Sequence, residues 1–299
     1  MPTFDTPEPI SVSLELGVCD IRIVAGDRTD TVVEVRPTNP TKKGDVAAAE
    51  QTRVEFAAGR LQIRAPKGWK RYTPLGGRES IDLQIDLPAG SHMRGEADLG
   101  AVRCTGRLGE LHFKTGLGEI RLDQAGQVEL KTGGGDIIVD QVADHAELRT
   151  GTGAVQARSI GGSAVVKNGN GDTWIGEVVG ELRVSAANGR ISVDQAHGAV
   201  TAKTANGDVR LSEIASGAVH AQTACGKVDI GVLDGVAAWL DLYTQYGNVQ
   251  NDLNAAERSE PGEATVEVRA RSSFGDVTVR RSSPLANGPG RAEVVEGGD

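Results

Sequence analysis

The chain has 299 residues, of which 40 are Gly and only 3 are Trp, 3 Tyr and 4 Phe, so its core must be aliphatic and its path rich in turns. That length is enough for a sizeable buried core. With 32 Lys and Arg against 41 Asp and Glu, the formal charge is −9, which repels a nucleic-acid backbone on average and excludes nucleic acid as the expected partner.

The first residues, Met1-Pro2-Thr3-Phe4-Asp5, carry no cationic stretch followed by an apolar run, and no later segment is apolar enough to span a bilayer. Cys19, Cys104 and Cys225 are far apart and form no Cys-x-x-Cys pair, which disfavours a disulfide framework or a zinc site. The expectation is a cytoplasmic protein without membrane insertion.

Taken along the chain, residues 11–24 and 31–36 alternate as strands. Residues 45–51 read as one helical turn or two, and residues 53–65 as a hairpin around Gly59. Residues 1–95 are therefore expected to form a β-rich N-terminal cap. The strongly alternating segment Ser80-Ile81-Asp82-Leu83-Gln84-Ile85-Asp86-Leu87 leads out of it toward the next region.

A repeat begins at that point. A Gly followed two residues later by Val, Ile or a similar residue recurs at Gly100, Gly118, Gly135, Gly153, Gly171, Gly189, Gly207, Gly226 and Gly247. Counted from the Gly, apolar residues stand at offsets +2, +4, +7, +11 and +13, as in Ile137, Val139, Val142, Ala146 and Leu148. Two alternating pairs per unit mean two short strands, each with one face inward. At +15 stand Thr150, Asn168, Ala186 and Thr204, small or polar groups just before the turn, where stacked Thr and Asn can hydrogen-bond to one another up and down the ladder. A unit of about 18 residues cannot bury its own apolar side, so units must stack and share one core. Residues 96–254 are thus expected to form an all-β, right-handed β-solenoid. A left-handed hexapeptide helix is rejected, because offset +8 holds Gln141, Gly161, Val179 and His197 rather than an apolar column. Residues 255–281 are expected to add C-terminal capping strands, and residues 282–299, rich in Ser, Gly, Pro and acids, to be a disordered tail.

The runs Gly17-Val18-Cys19-Asp20-Ile21, Gly133-Gly134-Gly135-Asp136-Ile137, Asn168-Gly169-Asn170-Gly171-Asp172, Asn206-Gly207-Asp208-Val209 and Phe274-Gly275-Asp276-Val277 resemble those of the toastrack family. This is a group of bacterial β-strand-repeat domains of unknown function, often given an adhesin-like label. The resemblance spans most of residues 10–279 and implies the repeat fold. Many relatives reach the cell envelope through a signal or an anchor. With neither visible here, the resemblance points to a scaffold or binding role.

No motif for a nucleophile elbow, a phosphate loop or a zinc protease is present, so the chain reads as non-enzymatic and without a cofactor. The Gly-Asp turns superficially match calcium-binding nonapeptides, but Asp136, Asp172 and Asp208 alternate with Ala154, Arg190 and Lys227. That alternation relieves carboxylate repulsion without a metal, and those three Asp are expected on exposed turns. The candidate contact residues are Lys67, Trp69, Lys70, Arg71 and Tyr72, a basic run interleaved with aromatics, together with outward-facing Trp174. An acidic protein or an anionic glycan is the expected partner class. Two alternatives stand beside the scaffold reading: a carbohydrate-binding or carbohydrate-processing β-helix, and a bactofilin-like filament.

Overall fold

The computed structural model describes residues 1–65, 79–253 and 265–282. Strands β1 (Thr3–Asp5), β2 (Ser11–Gly26) and β3 (Asp30–Pro37) precede a helix, α1 (Lys43–Gln51). Then come the hairpin β4 (Arg53–Ala57) and β5 (Arg60–Arg64), β6 (Ser80–Pro88), β7 (His92–Leu99) and two long strands, β8 (Val102–Leu117) and β9 (Ile120–Gly134). Regular two-strand coils follow. They pair β10 (Ile137–Val142) with β11 (Ala146–Thr152), β12 (Val155–Ile160) with β13 (Ala164–Asn170), and β14 (Thr173–Val178) with β15 (Leu182–Asn188). The next coils are β16 (Ile191–Ala196) with β17 (Val200–Asn206) and β18 (Val209–Ile214) with β19 (Gly217–Cys225). The last described strands are β20 (Val228–Val232), β21 (Ala237–Tyr246), β22 (Val249–Asn251), β23 (Thr265–Phe274) and β24 (Val277–Arg281).

The result is the β-solenoid read from the periodicity. The first strands of successive coils pair in parallel, Ile137 with Val155, Val155 with Thr173, Thr173 with Ile191 and Ile191 with Val209. We call this face one. The second strands build face two in the same way, through Ala146, Ala164, Leu182, Val200 and Val219. Because side chains alternate along a strand and registers stay unshifted, each inward residue lies over its counterpart one coil away. Val139, Val155, Ile175, Ile191 and Val193 are all at most 1% exposed.

The ends depart from simple addition. Residues 11–18 of β2 lie on face two between β5 and β7, while its second half pairs with β6 and β8 on face one. The parallel ladder therefore already runs through the region expected to be only a cap. Its antiparallel outer layer is β3 on β6, β1 on β3 and β4 on β5. The helix expected near residues 45–51 is α1, and the hairpin turns at Ala58 and Gly59 with φ of 48° and 71°.

At the other end, β23 and β24 do not cap the rod. β23 pairs with both β19 and β21, and β24 with both β20 and β22, so the last strands in sequence are inserted one layer inside. The physical reason is equivalence: every coil offers the same apolar columns above and below, so a later coil can slot beneath an earlier one without changing its pattern. The spatial end is β21 and β22, where Ala238, Leu240 and Leu242 are half-buried and Val249 is 48% exposed. Residues 283–299, expected as a tail, lie outside the described residues.

Candidate functional site

The turns come first, because they decide whether the Gly-Asp motifs are ligand sites. At Gly171 the backbone has φ of 136°, and an added Cβ would stand 2.2 Å from the carbonyl oxygen of Gly153 in the coil below. Glycine is required there by both conformation and approach. The stacked turn carbonyls are satisfied by the inward +15 column: Thr150 Oγ1 donates to Gly135 O at 3.0 Å, Asn168 Nδ2 to Gly153 O at 3.1 Å and Thr223 Oγ1 to Gly207 O at 2.8 Å. This corrects the expectation that Thr and Asn bond to one another in that column. The side-chain ladder lies two residues further along, where Asn188 Nδ2 donates to Asn170 Oδ1 at 2.7 Å and Asn206 Nδ2 to Asn188 Oδ1 at 2.8 Å.

The turn carboxylates have a structural task. Asp136 Oδ1 accepts the N–H of Ala154 at 2.7 Å, Asp172 Oδ1 that of Arg190 at 2.8 Å and Asp208 Oδ1 that of Lys227 at 2.8 Å. Each acid thus holds the backbone of the next coil, whose own residue at that offset is neutral or basic. Of the three, only Asp172 is exposed, while Asp136 and Asp208 are half-buried, against the expectation that all three lie on exposed turns. Among the described residues no group of three His, Cys, Asp or Glu side chains has metal-binding geometry.

Of the contact residues expected from the sequence, Lys67, Trp69, Lys70, Arg71 and Tyr72 lie outside the described residues. Trp174 is 37% exposed on the outer surface of face one, where its Nε1–H donates to Asp194 Oδ2 at 3.1 Å. Its ring occupies the space over Gly176. The other exposed aromatics gather at the β21 end: Tyr246 stacks on Phe274 at 4.9 Å, and the Arg269 guanidinium lies 5.8 Å from the Trp239 ring. Trp239 and Tyr243 are more than half exposed, so they do not lie beneath the C-terminal strands. The histidines are dispersed, for example His112 on Glu129 at 3.0 Å and His145 on Ser163 at 2.9 Å. Burial pushes the Cys104 thiol up to about 12, with Asp123 adding to it. Burial, followed by Asp20 and Asp82, drives Cys19 still further up. Neither thiol is a nucleophile at neutral pH.

One column escaped the sequence reading. Lys114, Lys131, Arg149 and Lys167 are directly paired in register on the outer side of face two, one per layer. Ser185 interrupts the column once before Lys203, and Gln222 once before Arg271. The signal lies at offset +14, the outward position between the two inward ones, for Lys114, Arg149, Lys167 and Lys203, and at +13 for Lys131, whose unit is one residue shorter. Beside this column runs a shallow trough of about 510 Å³ whose floor includes Gly133, Gly151, Gly169 and Ala187. A second hollow of about 390 Å³, lined by Thr201, Lys203, His220, Gln222, Arg269 and Arg271, lies on the other side of the column, toward β21.

No curated protein matches the chain. Among solved structures it is similar to a "putative cell adhesion protein" from Clostridium sporogenes, with 12% identity, a TM-score of 0.24 and coverage of 94% of this chain and 98% of that one. It is also similar to a "putative adhesin" from Bacteroides fragilis, at 12% identity, TM-score 0.32 and coverage of 93% and 95%. A third, from Parabacteroides merdae and titled in the same way, has 8% identity, TM-score 0.36 and coverage of 94% and 95%. Such low identities leave the repeat itself to carry the assignment. With that repeat in place, and with the family model for the Toastrack domain DUF4097 matching residues 10–280, the chain belongs to the Toastrack DUF4097 family.

Proposed function

We propose that this chain is a non-enzymatic binding rod, a rigid solenoid that presents extended side-chain columns to a partner. The observation that carries this reading is the strict layer-to-layer register of faces one and two, which repeats outward side chains in straight columns on the order of 5 Å apart. A repetitive ligand can meet many equivalent contacts on such a surface. The polar groups at the turns are already used to join coils, and the histidines are dispersed along the rod.

The label "adhesin" on similar proteins agrees with a binding role and says nothing of the ligand here. No helix among the described residues is long and apolar enough to cross a membrane. The cytoplasmic placement expected from three free thiols has support in the absence of pairing, since Cys19 and Cys104 are buried and unpaired. The same burial would protect those thiols in an oxidising compartment.

The test is a glycan and protein array probed with the whole chain, followed by mass spectrometry of any recovered ligand. Saturable binding with the ligand mass unchanged is the expected result. A cleaved or otherwise converted ligand, or no binding to any class, overturns the reading.

A further inference from the structure

The cation column on face two is the feature of the surface that the fold itself does not explain. Several bases elsewhere are neutralised locally: Arg183 pairs with Glu181 at 2.8 Å, Arg158 with Asp140 at 3.3 Å and Arg269 with Glu267 at 2.6 Å. Within the column, Arg149 pairs with Glu147 and Arg271 with Asp241 at 2.8 Å. Lys114, Lys131, Lys167 and Lys203 make no ion pair with any described residue, and all four are exposed. Like charges directly opposite on neighbouring strands are destabilising. From Asp136 to Lys227 the turn acids avoid that arrangement by alternating with neutral and basic residues. This column does not avoid it, in a chain whose formal charge is −9.

Resting on the binding-rod reading, we propose that the face-two column and its trough form a binding site for a linear acidic polysaccharide, lying along the rod axis with its carboxylates on the lysines. Three features select that chemistry. The first is spacing: cations in five of the six layers over ~24 Å from Lys114 to Lys203, at ~4.8 Å per layer, suit a chain of carboxylated pyranoses, whose repeat is of similar length. The second is the trough floor. A Cβ at Gly151 would stand 2.4 Å from Gly133 O, and one at Gly169 would stand 2.3 Å from Gly151 O. Over Gly133, Gly151 and Gly169 the floor is therefore held as bare backbone, open to the apolar face of a sugar ring. The third is the end of the column, where Arg271 is in register with Tyr243 on β21, and Tyr243 and Trp239 are 52% and 57% exposed. Aromatic faces beside cations suit a charged sugar, which offers C–H groups and an anion together.

Other polyanions fit less well. A single-stranded nucleic acid calls for aromatic stacking platforms along the groove, whereas the aromatics here stand only at its β21 end. An anionic bilayer calls for a broad basic face, whereas the column is single-file and the neighbouring outward column carries Glu129 and Glu147.

The test is isothermal titration calorimetry of the whole chain with polygalacturonate fractions of defined length. Two triple variants are compared, K131Q/K167Q/K203Q on the column and R103Q/R121Q/R158Q on face one. Both remove the same charge from exposed positions. The expected result is at least tenfold weaker binding for the column triple and less than twofold for the face-one triple. Affinity should rise with oligomer length up to the span of the column and fall with added salt. Thermal melts verify folding, and K167Q alone serves should the triple fail to fold. Equal losses in both triples, no loss in either, or no binding of polygalacturonate overturns the site. Binding of phosphatidylglycerol vesicles or of oligo(dT) that is as tight and as dependent on the column overturns the ligand class. If a neutral glycan binds without regard to the column, the binding-rod reading stands and this site falls.

Discussion

At Gly171 a single missing atom decides whether two coils can approach. Its φ of 136° and the 2.2 Å separation between a hypothetical Cβ and the Gly153 carbonyl oxygen act together, and the obstructing atom is backbone, which cannot swing aside. Gly171→Ala is expected to lower stability by ~3 kcal/mol or more in urea melts. Gly26 is the matched control, since a Cβ there meets nothing within 4 Å. Gly26→Ala should change stability by less than about 0.5 kcal/mol. Comparable losses in the two variants would show that the close approach is not what the turn glycines provide.

At the scale of elements, the hairpin of β4 and β5 has both turn residues in the left-handed region, the geometry of a type I′ turn. Gly59 is at ease there, but Ala58 at φ of 48° is not, and it is exposed with no packing to lose. Ala58→Asn, which creates the favoured Asn-Gly pair, should raise stability by ~0.5–1 kcal/mol in chemical denaturation. Helix α1 offers a pH-dependent counterpart, because Asp45 is its buried anchor to β6. Burial by itself would raise the Asp45 carboxyl. The Lys42 ammonium at 2.8 Å and the N–H of Ser80 at 3.1 Å outweigh it and hold the group below its usual value. A carboxyl depressed in the folded state adds stability above its unfolded pKa and loses that contribution as pH falls through the folded one. Asp45→Asn should therefore cost ~1–2 kcal/mol near pH 7, and the gap to the parent should close below about pH 4. A gap independent of pH would mean that the charge of Asp45 contributes nothing.

At the scale of the whole molecule, stability should be graded along the rod. Each coil contacts mainly the coils above and below it, so interior layers are held on two sides and terminal layers on one. The parallel face-two ladder spans on the order of 50 Å and ends at β21, where inward residues are half-buried rather than fully covered. Hydrogen exchange is expected to be slowest in β13 to β17 and fastest in β21, β22 and β1. Uniform protection from end to end would instead indicate one cooperative block.

Much of this was legible in the sequence because alternation is written into each strand and the period of 18 repeats it. Residues such as Val155 and Ile191 declare an inward side whatever lies above them, and Gly59 and the Gly-Asp turns mark where the chain reverses. The contents of the outward columns were equally present, but Lys131 and Lys167 mean little until register places them in neighbouring layers. Tertiary structure alone decided which coil stacks on which. Every coil offers the same apolar columns to its neighbours, so local pattern cannot distinguish β23 appended after β22 from β23 inserted between β19 and β21. It also decided what the turn acids do, because the N–H that Asp172 accepts belongs to Arg190, one whole coil away, and becomes a neighbour only when the coils close upon each other.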